Sequence, residues 1–338
     1  MDPTTLTKRF MTSRGFEYSY YRGPPSPESL VEFDPNDPPL PALLFLHGFP
    51  TSSHLWRHQF AFFRERGFLV LAPDLLGMGH TSKPTDTQAY RPSSICKDIV
   101  ELLDAEGATQ VIAIGHDMGS KIASRFANIY PERFLAFAFL AVPYSAPRPN
   151  TQIEFTSRIT KKMAGYELIG HSLFYSEDDA AKLIESRLDS FFSAIFPRDP
   201  KLWATHVSPI GALRAWLEKD SRAMMAPYVH PDDISVWRTI ISQEGIAAAL
   251  CWHKAFTSGL NAEDDKDIPL DSYPIHKPVF FAAANHDRIS QSVLGIAVTS
   301  YHCKNTSVRK FNDGHWLMMS SPSEVNQALF SWIMDCLP

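Results

Sequence analysis

Short, uninterrupted apolar segments separated by longer helix-like segments are the feature that most limits the folds open to this chain. An apolar run of strand length that ends in glycine or proline is typical of a strand buried on both faces of a parallel sheet. Such runs occur at 42–46, 68–72, 111–114, 135–142, 278–283 and, less purely apolar, 307–311. Strands that alternate with helices predict an α/β fold, with a mostly parallel, doubly wound sheet covered by helices on both faces.

The alternation stops between residues 148 and 265, where no convincing strand is found and several helix-like segments are rich in aromatic residues. We therefore predict a core in two parts, residues 1–147 and 266–338, with a helical cap inserted at 148–265. The proline-rich segment 24–41 is predicted to be a loop.

Composition excludes several classes of protein. Hydrophobic residues make up 44% of the 338 residues and charged residues 20%, as expected for a globular protein with a substantial core. Asp and Glu outnumber Lys and Arg by 37 to 32, and no basic stripe suited to nucleic acid is visible. The four cysteines are far apart and form no C-x-x-C motif, which argues against a disulfide scaffold and a thiolate zinc site.

The first 16 residues are polar and lack the apolar stretch of a signal peptide. No apolar run approaches the ~20 residues of a membrane-spanning helix. A cytoplasmic protein with no membrane partner is therefore expected. The oligomeric state is not indicated.

Residues 115–119, Gly-His-Asp-Met-Gly, lie between a predicted strand and a predicted helix. This is the context of a nucleophile elbow, G-x-Nu-x-G, in which the glycines permit a very tight turn. Asp117 holds the nucleophile position. Aspartate is also a favoured residue at helix N-termini, so capping is the alternative explanation.

Two residues much later in the chain, together with Asp117, give the order expected of a catalytic triad. Asp287 follows the strand at 278–283, and His315 follows the strand at 307–311. The order nucleophile, acid, base is that of an α/β-hydrolase triad. The acid could instead follow the strand at 135–142, but the next residues, 143–145, carry no carboxylate.

Residues 47–50, His-Gly-Phe-Pro, end the first long strand, where this arrangement builds part of an oxyanion hole. The backbone N–H groups of Phe49 and Met118 are predicted to face the developing oxyanion. The side chain of His47 is predicted to line the substrate pocket.

Through segments 47–50, 115–119 and 314–316, the chain resembles the soluble epoxide hydrolases of the α/β-hydrolase fold. The resemblance covers essentially the whole chain. It implies that Asp117 attacks an epoxide carbon and forms an alkyl ester, which water activated by His315 and Asp287 then hydrolyses. An apolar epoxide would become a vicinal diol without any cofactor or metal.

The resembling family uses two tyrosines of the cap to donate hydrogen bonds or a proton to the epoxide oxygen. Tyr166 matches the first by its distance after the elbow. The second normally follows a tryptophan, and here Trp252 is followed by His253. Trp252 and Trp316 are predicted to line the pocket.

Other functions remain open at this point. An Asp nucleophile also serves dehalogenases or enzymes that rearrange epoxides. Haloalkane dehalogenases, however, carry a tryptophan after the nucleophile whose N–H binds halide, and Met118 has no such donor. A ligand-binding protein that has lost turnover is the alternative from another class, although it would have no need to retain Asp117, Asp287 and His315.

Overall fold

A single mixed sheet forms the centre of the computed structural model, which describes residues 6–27, 39–150 and 152–337. The strands within these ranges are β1 (Thr7–Met11), β2 (Glu17–Gly23), β3 (Ala42–Leu46), β4 (Val70–Pro73), β5 (Val111–His116), β6 (Phe134–Leu140), β7 (Ile275–Ala284) and β8 (Cys303–Phe311). They lie in the order β1-β2-β4-β3-β5-β6-β7-β8. The pairings of β2 with β1 and with β4 are antiparallel, and all the others are parallel.

Helices cover both faces of this sheet. The core helices are α1 (Arg57–Arg64), α2 (Pro92–Ala105), α3 (Met118–Ile129), α12 (Ser292–His302), α13 (Leu317–Ser320) and α14 (Pro322–Cys336). All five residues of β3 are buried. Because successive side chains of a strand point to opposite faces, burial of the whole strand requires cover on both sides. The α/β class predicted from the apolar runs is thereby confirmed.

The segment between β6 and β7 is helical, as predicted. Its helices are α4 (Ile153–Ala164), α5 (Gly170–Tyr175), α6 (Ala180–Glu185), α7 (Leu188–Ile195), α8 (Ala212–Glu218), α9 (Pro231–Glu244), α10 (Ala247–Thr257) and α11 (Leu260–Asp264), with a π-helical turn at Trp203–Val207. Within the described part of this segment, β-type pairing is limited to a bridge between Pro197 and Met225. The exact cap boundaries at 147 and 265 stay a prediction.

The edges of the sheet differ from the sequence prediction. Strand β1 was not predicted, because four of its five residues are exposed and form no apolar run. Strand β8 begins four residues earlier than predicted, where Lys304 and Asn305 are exposed and no apolar run is present. Of the predicted loop at 24–41, residues 28–38 lie outside the described residues.

The described residues contain neither a membrane-spanning helix nor a cluster of metal-binding side chains. No helix in these ranges is both long and apolar enough to cross a membrane. The same ranges hold no group of three or more His, Cys, Asp or Glu side chains arranged to bind a metal ion.

Candidate active site

Asp117 occupies a strained turn between β5 and α3. Its φ of 53° and ψ of −119° are unusual for a residue other than glycine. Gly119 makes the turn possible, because a Cβ there would overlap the backbone carbonyl of Leu46. The Asp117 side chain makes no capping hydrogen bond to α3. Helix capping therefore does not explain the presence of an aspartate at this position.

One carboxylate oxygen of Asp117 is held by the loop after β3. The backbone N–H of Phe49 donates to Oδ1 of Asp117 at 2.9 Å. Gly48 permits this approach, because a Cβ there would overlap the Asp117 carboxylate. Met118 is the first residue of α3, and the first amides of a helix have no acceptor within the helix. The Phe49 N–H is thus placed to stabilise negative charge that develops on Oδ1 of Asp117.

His315 and Asp287 form a buried pair beside the elbow. Nδ1 of His315 lies 2.7 Å from Oδ2 of Asp287. The other oxygen, Oδ1, accepts from the backbone N–H groups of Ile289 and Ser290 at 2.8 and 2.9 Å. These three bonds fix the carboxylate, which in turn fixes the imidazole ring. The sequence predicted this acid and this base to be adjacent, and the structure brings them together.

The second nitrogen of His315 faces the elbow. Nε2 lies 3.8 Å from Oδ2 of Asp117, too far for a direct hydrogen bond. Burial alone would lower the pKa of His315, but the charge and hydrogen bond of Asp287, together with the charge of Asp117, raise it above its usual value. The ring is therefore an effective proton acceptor directed at the space next to the Asp117 carboxylate.

Two cavities meet at Asp117. The larger, of about 590 Å³, extends from Asp117 and Met118 along Trp252 and His253 of α10. The smaller, of about 50 Å³, lies between Asp117, His315 and the cap. Small-molecule sites are usually concave, with a few polar groups that converge on one point, and the volume of the larger cavity lies in their usual range.

His253, predicted as a donor, lies in both cavities. Its Nδ1 is 3.2 Å from the hydroxyl oxygen of Ser172, and its buried Nε2 has no hydrogen-bond partner among the described residues. Burial lowers the pKa of His253 well below its usual value, so the ring is neutral near pH 7. A neutral imidazole that accepts from Ser172 at Nδ1 presents an Nε2–H donor to the cavity.

The sequence did not predict two further cap residues that lie near Asp117 and His253. Tyr175 of α5 lies in the smaller cavity, with its ring 4.9 Å from that of Phe49 and 4.6 Å from that of His253. Burial and the charge of Asp117 raise the pKa of Tyr175. His171 precedes it by four residues, and burial together with the positive charge of His315 lowers its pKa to about 4. The i, i+4 spacing of His171 and Tyr175, which places both on one face of a helix, was the available signal.

Tyr166, in contrast, lies elsewhere. Its hydroxyl donates to the backbone carbonyl of Arg288 at 2.6 Å, and it is not among the described residues that line either cavity. Helix α4 ends at Gly165, whose left-handed conformation turns the chain towards the loop after Asp287. The distance after the elbow thus predicts a tyrosine that lies outside both cavities, and its role as a donor stays a prediction.

Of the three residues predicted to line the pocket, two line a cavity and one does not. The rings of Trp252 and Trp316 each line one of the two cavities, while their N–H groups donate to the carbonyls of Leu76 and Ile195. His47 does not line either cavity. It is fully buried, with Nδ1 2.9 Å from the Gly48 carbonyl oxygen and Nε2 accepting from the Leu75 N–H. It holds the loop after β3 in place and does not contact the pocket.

The chain is similar in sequence to known proteins. The model of the α/β hydrolase fold matches residues 41–164. Bifunctional epoxide hydrolase 2 of Sus scrofa is 26% identical over 298 residues, which are 87% of this chain and 51% of that protein. The chain thus spans about half the length of this relative. Epoxide hydrolase A of Mycobacterium tuberculosis is 26% identical over 321 residues, which are 88% of this chain and 91% of that protein.

A solved structure agrees over the whole fold. The crystal structure of epoxide hydrolase A from Mycobacterium thermoresistibile superimposes with a TM-score of 0.77, at 24% identity, over 96% of this chain and 97% of that one. The chain has the α/β-hydrolase fold. In sequence it is similar to epoxide hydrolases, as the segments around Phe49, Asp117 and His315 predicted.

Proposed function

We propose that this protein is a cofactor-independent epoxide hydrolase that forms an alkyl ester on Asp117. The observation that carries the proposal is the arrangement of one carboxylate. Oδ1 of Asp117 accepts from the Phe49 N–H, while Oδ2 faces a cavity and Nε2 of His315. The names of the relatives support the same reaction class.

In the first step Oδ2 of Asp117 attacks a carbon of the epoxide. A C–O bond forms to that carbon, and its bond to the ring oxygen breaks. A carboxylate has a reference pKa near 3.9 and is ionised at neutral pH, so it needs no base to attack. His315 remains available for the second step.

The ring oxygen leaves as an alkoxide and needs a hydrogen-bond or proton donor. We assign this role to the Nε2–H of His253 and the hydroxyl of Tyr175. Their rings are 4.6 Å apart and both lie beside Phe49 in the smaller cavity with Asp117. Donors held in a buried site stabilise developing negative charge strongly.

In the second step His315 removes a proton from water at Nε2, and the resulting hydroxide attacks the carbonyl carbon of the ester. Negative charge develops on Oδ1, where the Phe49 N–H already donates. The ester C–O bond then breaks, and the proton on His315 passes to the departing diol oxygen. The carboxylic acid left on Asp117 ionises, and its proton returns to the former ring oxygen or to the donor that protonated it, which restores the starting state of the enzyme. Asp287 keeps its charge and stabilises the imidazolium.

Oxygen-18 water tests the ester directly. In a single turnover with excess enzyme, the label is expected in the peptide that contains Asp117, while the diol carries the unlabelled carboxylate oxygen. A labelled diol with an unlabelled peptide would show direct attack by water and refute the mechanism. Halide release from haloalkanes without epoxide opening would favour a dehalogenase. Tight binding of epoxides without turnover would indicate a ligand-binding protein.

A further inference from the structure

Helix α4 of the cap presents an apolar row to the outside of the protein. None of its twelve described side chains is buried. Phe155, Ile159 and Met163 are 53%, 37% and 56% exposed. They are four residues apart, so they form one continuous row along the helix. Contiguous exposed side chains of this kind are unusual on a globular protein and indicate a binding surface.

A basic pair lies beside the apolar row. Arg158 and Lys162 are also four residues apart, both are exposed, and neither forms an ion pair with a described residue. The guanidinium carbon of Arg158 lies 5.6 Å from the centroid of the Phe155 ring, so the charge and the apolar row are in contact. The whole helix carries three basic residues and one acidic residue. Its outer side is therefore both apolar and positively charged.

The inner side of α4 faces the active-site cavity. Ile153 and Thr156 line the larger cavity, whereas the apolar row does not. Just after the helix ends, the Tyr166 hydroxyl donates to the Arg288 carbonyl at 2.6 Å and ties this part of the cap to the core. The helix thus separates the cavity from solvent, with the apolar row and the basic pair on the solvent side.

The size and charge of this surface favour a lipid over a protein. A helix of twelve residues is about 18 Å long and about 10 Å wide, so its outer side offers on the order of 300 Å². A stable protein interface buries about 800 Å² on each partner. A second copy that docked through its own α4 would also bring three more basic residues and only one acidic residue. A lipid surface needs only an apolar row with basic residues next to it.

We propose that α4 binds the surface of a membrane that contains anionic lipids. The apolar row enters the boundary between headgroups and acyl chains, and the basic pair contacts the lipid phosphates. The helix lies in the plane of the surface and does not cross it. The expectation of no membrane partner was based on the lack of a membrane-spanning run, which this kind of contact does not require. The contact places the wall of the cavity next to a phase in which apolar molecules concentrate.

Cosedimentation of the full chain with vesicles tests the charge requirement. Vesicles of phosphatidylcholine with about 30% phosphatidylserine are compared with pure phosphatidylcholine, and wild type is expected to bind the anionic vesicles at least about tenfold more tightly. Each basic residue at such a surface contributes about fivefold in affinity, so Arg158→Gln with Lys162→Gln is expected to weaken binding by about 25-fold. Lys304→Gln with Lys310→Gln removes two exposed lysines of β8 and is expected to change it less than about twofold.

A second pair of variants tests the apolar row. Phe155→Ser with Ile159→Ser is expected to weaken binding to anionic vesicles by more than about tenfold, because less apolar surface enters the lipid. Leu270→Ser with Tyr301→Ser is the matched control. These side chains are 75% and 77% exposed, and they precede β7 and β8 at the end of the sheet opposite Asp117. The control is expected to bind within about twofold of wild type.

A fluorescent side chain reports which surface enters the lipid. Phe155→Trp is expected to be quenched by brominated acyl chains more strongly than wild type, because the added ring lies in the acyl boundary. Leu270→Trp is expected to show no added quenching. Thermal unfolding of all variants is expected to match that of wild type, since the replaced side chains are exposed.

Several results would overturn the proposal. These are no binding of wild type to anionic vesicles at about 1 mM lipid, equal binding of wild type and both α4 variants, or no added quenching in Phe155→Trp. Dimerisation without lipid that is lost in Phe155→Ser with Ile159→Ser would assign the surface to a second copy instead. None of these measurements requires turnover. Failure of the hydrolase proposal therefore leaves this test intact, and the reverse also holds.

Discussion

Nδ1 of His315 lies 2.7 Å from Oδ2 of Asp287, although the two residues follow different strands, β8 and β7. These strands are neighbours in the sheet and parallel, so their carboxyl ends bring the two side chains to the same edge. The contact fixes the proton on Nδ1 and leaves Nε2 free to face Asp117. The pairing of β7 with β8 thereby determines the orientation of the His315 ring.

The first prediction concerns the pH dependence of ester hydrolysis. The neutral form of His315 is the base, and Asp287 raises its pKa, so kcat for diol release is expected to fall as pH decreases through a value above 6.5. In Asp287→Asn the charge is lost while burial remains, so the pKa falls and the inflection moves to lower pH. The rate is also expected to fall by roughly 10³–10⁴.

Mass spectrometry complements the pH profile. The ester on Asp117 is expected to accumulate in Asp287→Asn and in His315→Gln, because both retain the nucleophile. An unchanged inflection in Asp287→Asn, or the absence of a covalent adduct in both variants during turnover, would contradict the division of roles between Asp117 and His315.

The second prediction distinguishes two tyrosines of the cap. Tyr175 lies beside Asp117, whereas the Tyr166 hydroxyl is bonded to the Arg288 carbonyl. Tyr175→Phe removes a donor to the ring oxygen and is expected to slow ester formation by about 10²–10³. Tyr166→Phe is the matched control and is expected to slow it less than about threefold. Stopped-flow measurement of ester formation under single-turnover conditions compares them, and the reverse ranking would restore Tyr166 as the donor.

The third prediction concerns stability. Arg125 is fully buried and donates two hydrogen bonds to Asp265, which links α3 to the end of the cap. Arg125→Met leaves a buried carboxylate without its main partner and is expected to lower the free energy of unfolding by about 3–5 kcal/mol. Arg91→Met removes an exposed pair with Glu263 and is expected to cost about 0–1 kcal/mol. Urea unfolding measures both, and similar losses would show that Arg125 contributes no more than a surface residue.

The positions of Asp117, Asp287 and His315 after strands of the sheet could be predicted because the sequence signals for them are local. Glycines flank Asp117 in a turn that few other residues permit, and each of the three proposed catalytic residues follows a predicted strand. In a parallel sheet, position after a strand is sufficient to place a residue at the active edge. Asp287 and His315 could therefore be located without knowledge of any long-range contact.

The cap was predicted less well because its signals are not local. Tyr166, Tyr175 and His171 lie within ten residues of one another, and which of them faces Asp117 depends on how α5 packs against α10. His47 shows a related difficulty. A histidine at the end of a strand suggests a pocket residue, but the loop after β3 uses both ring nitrogens for backbone hydrogen bonds.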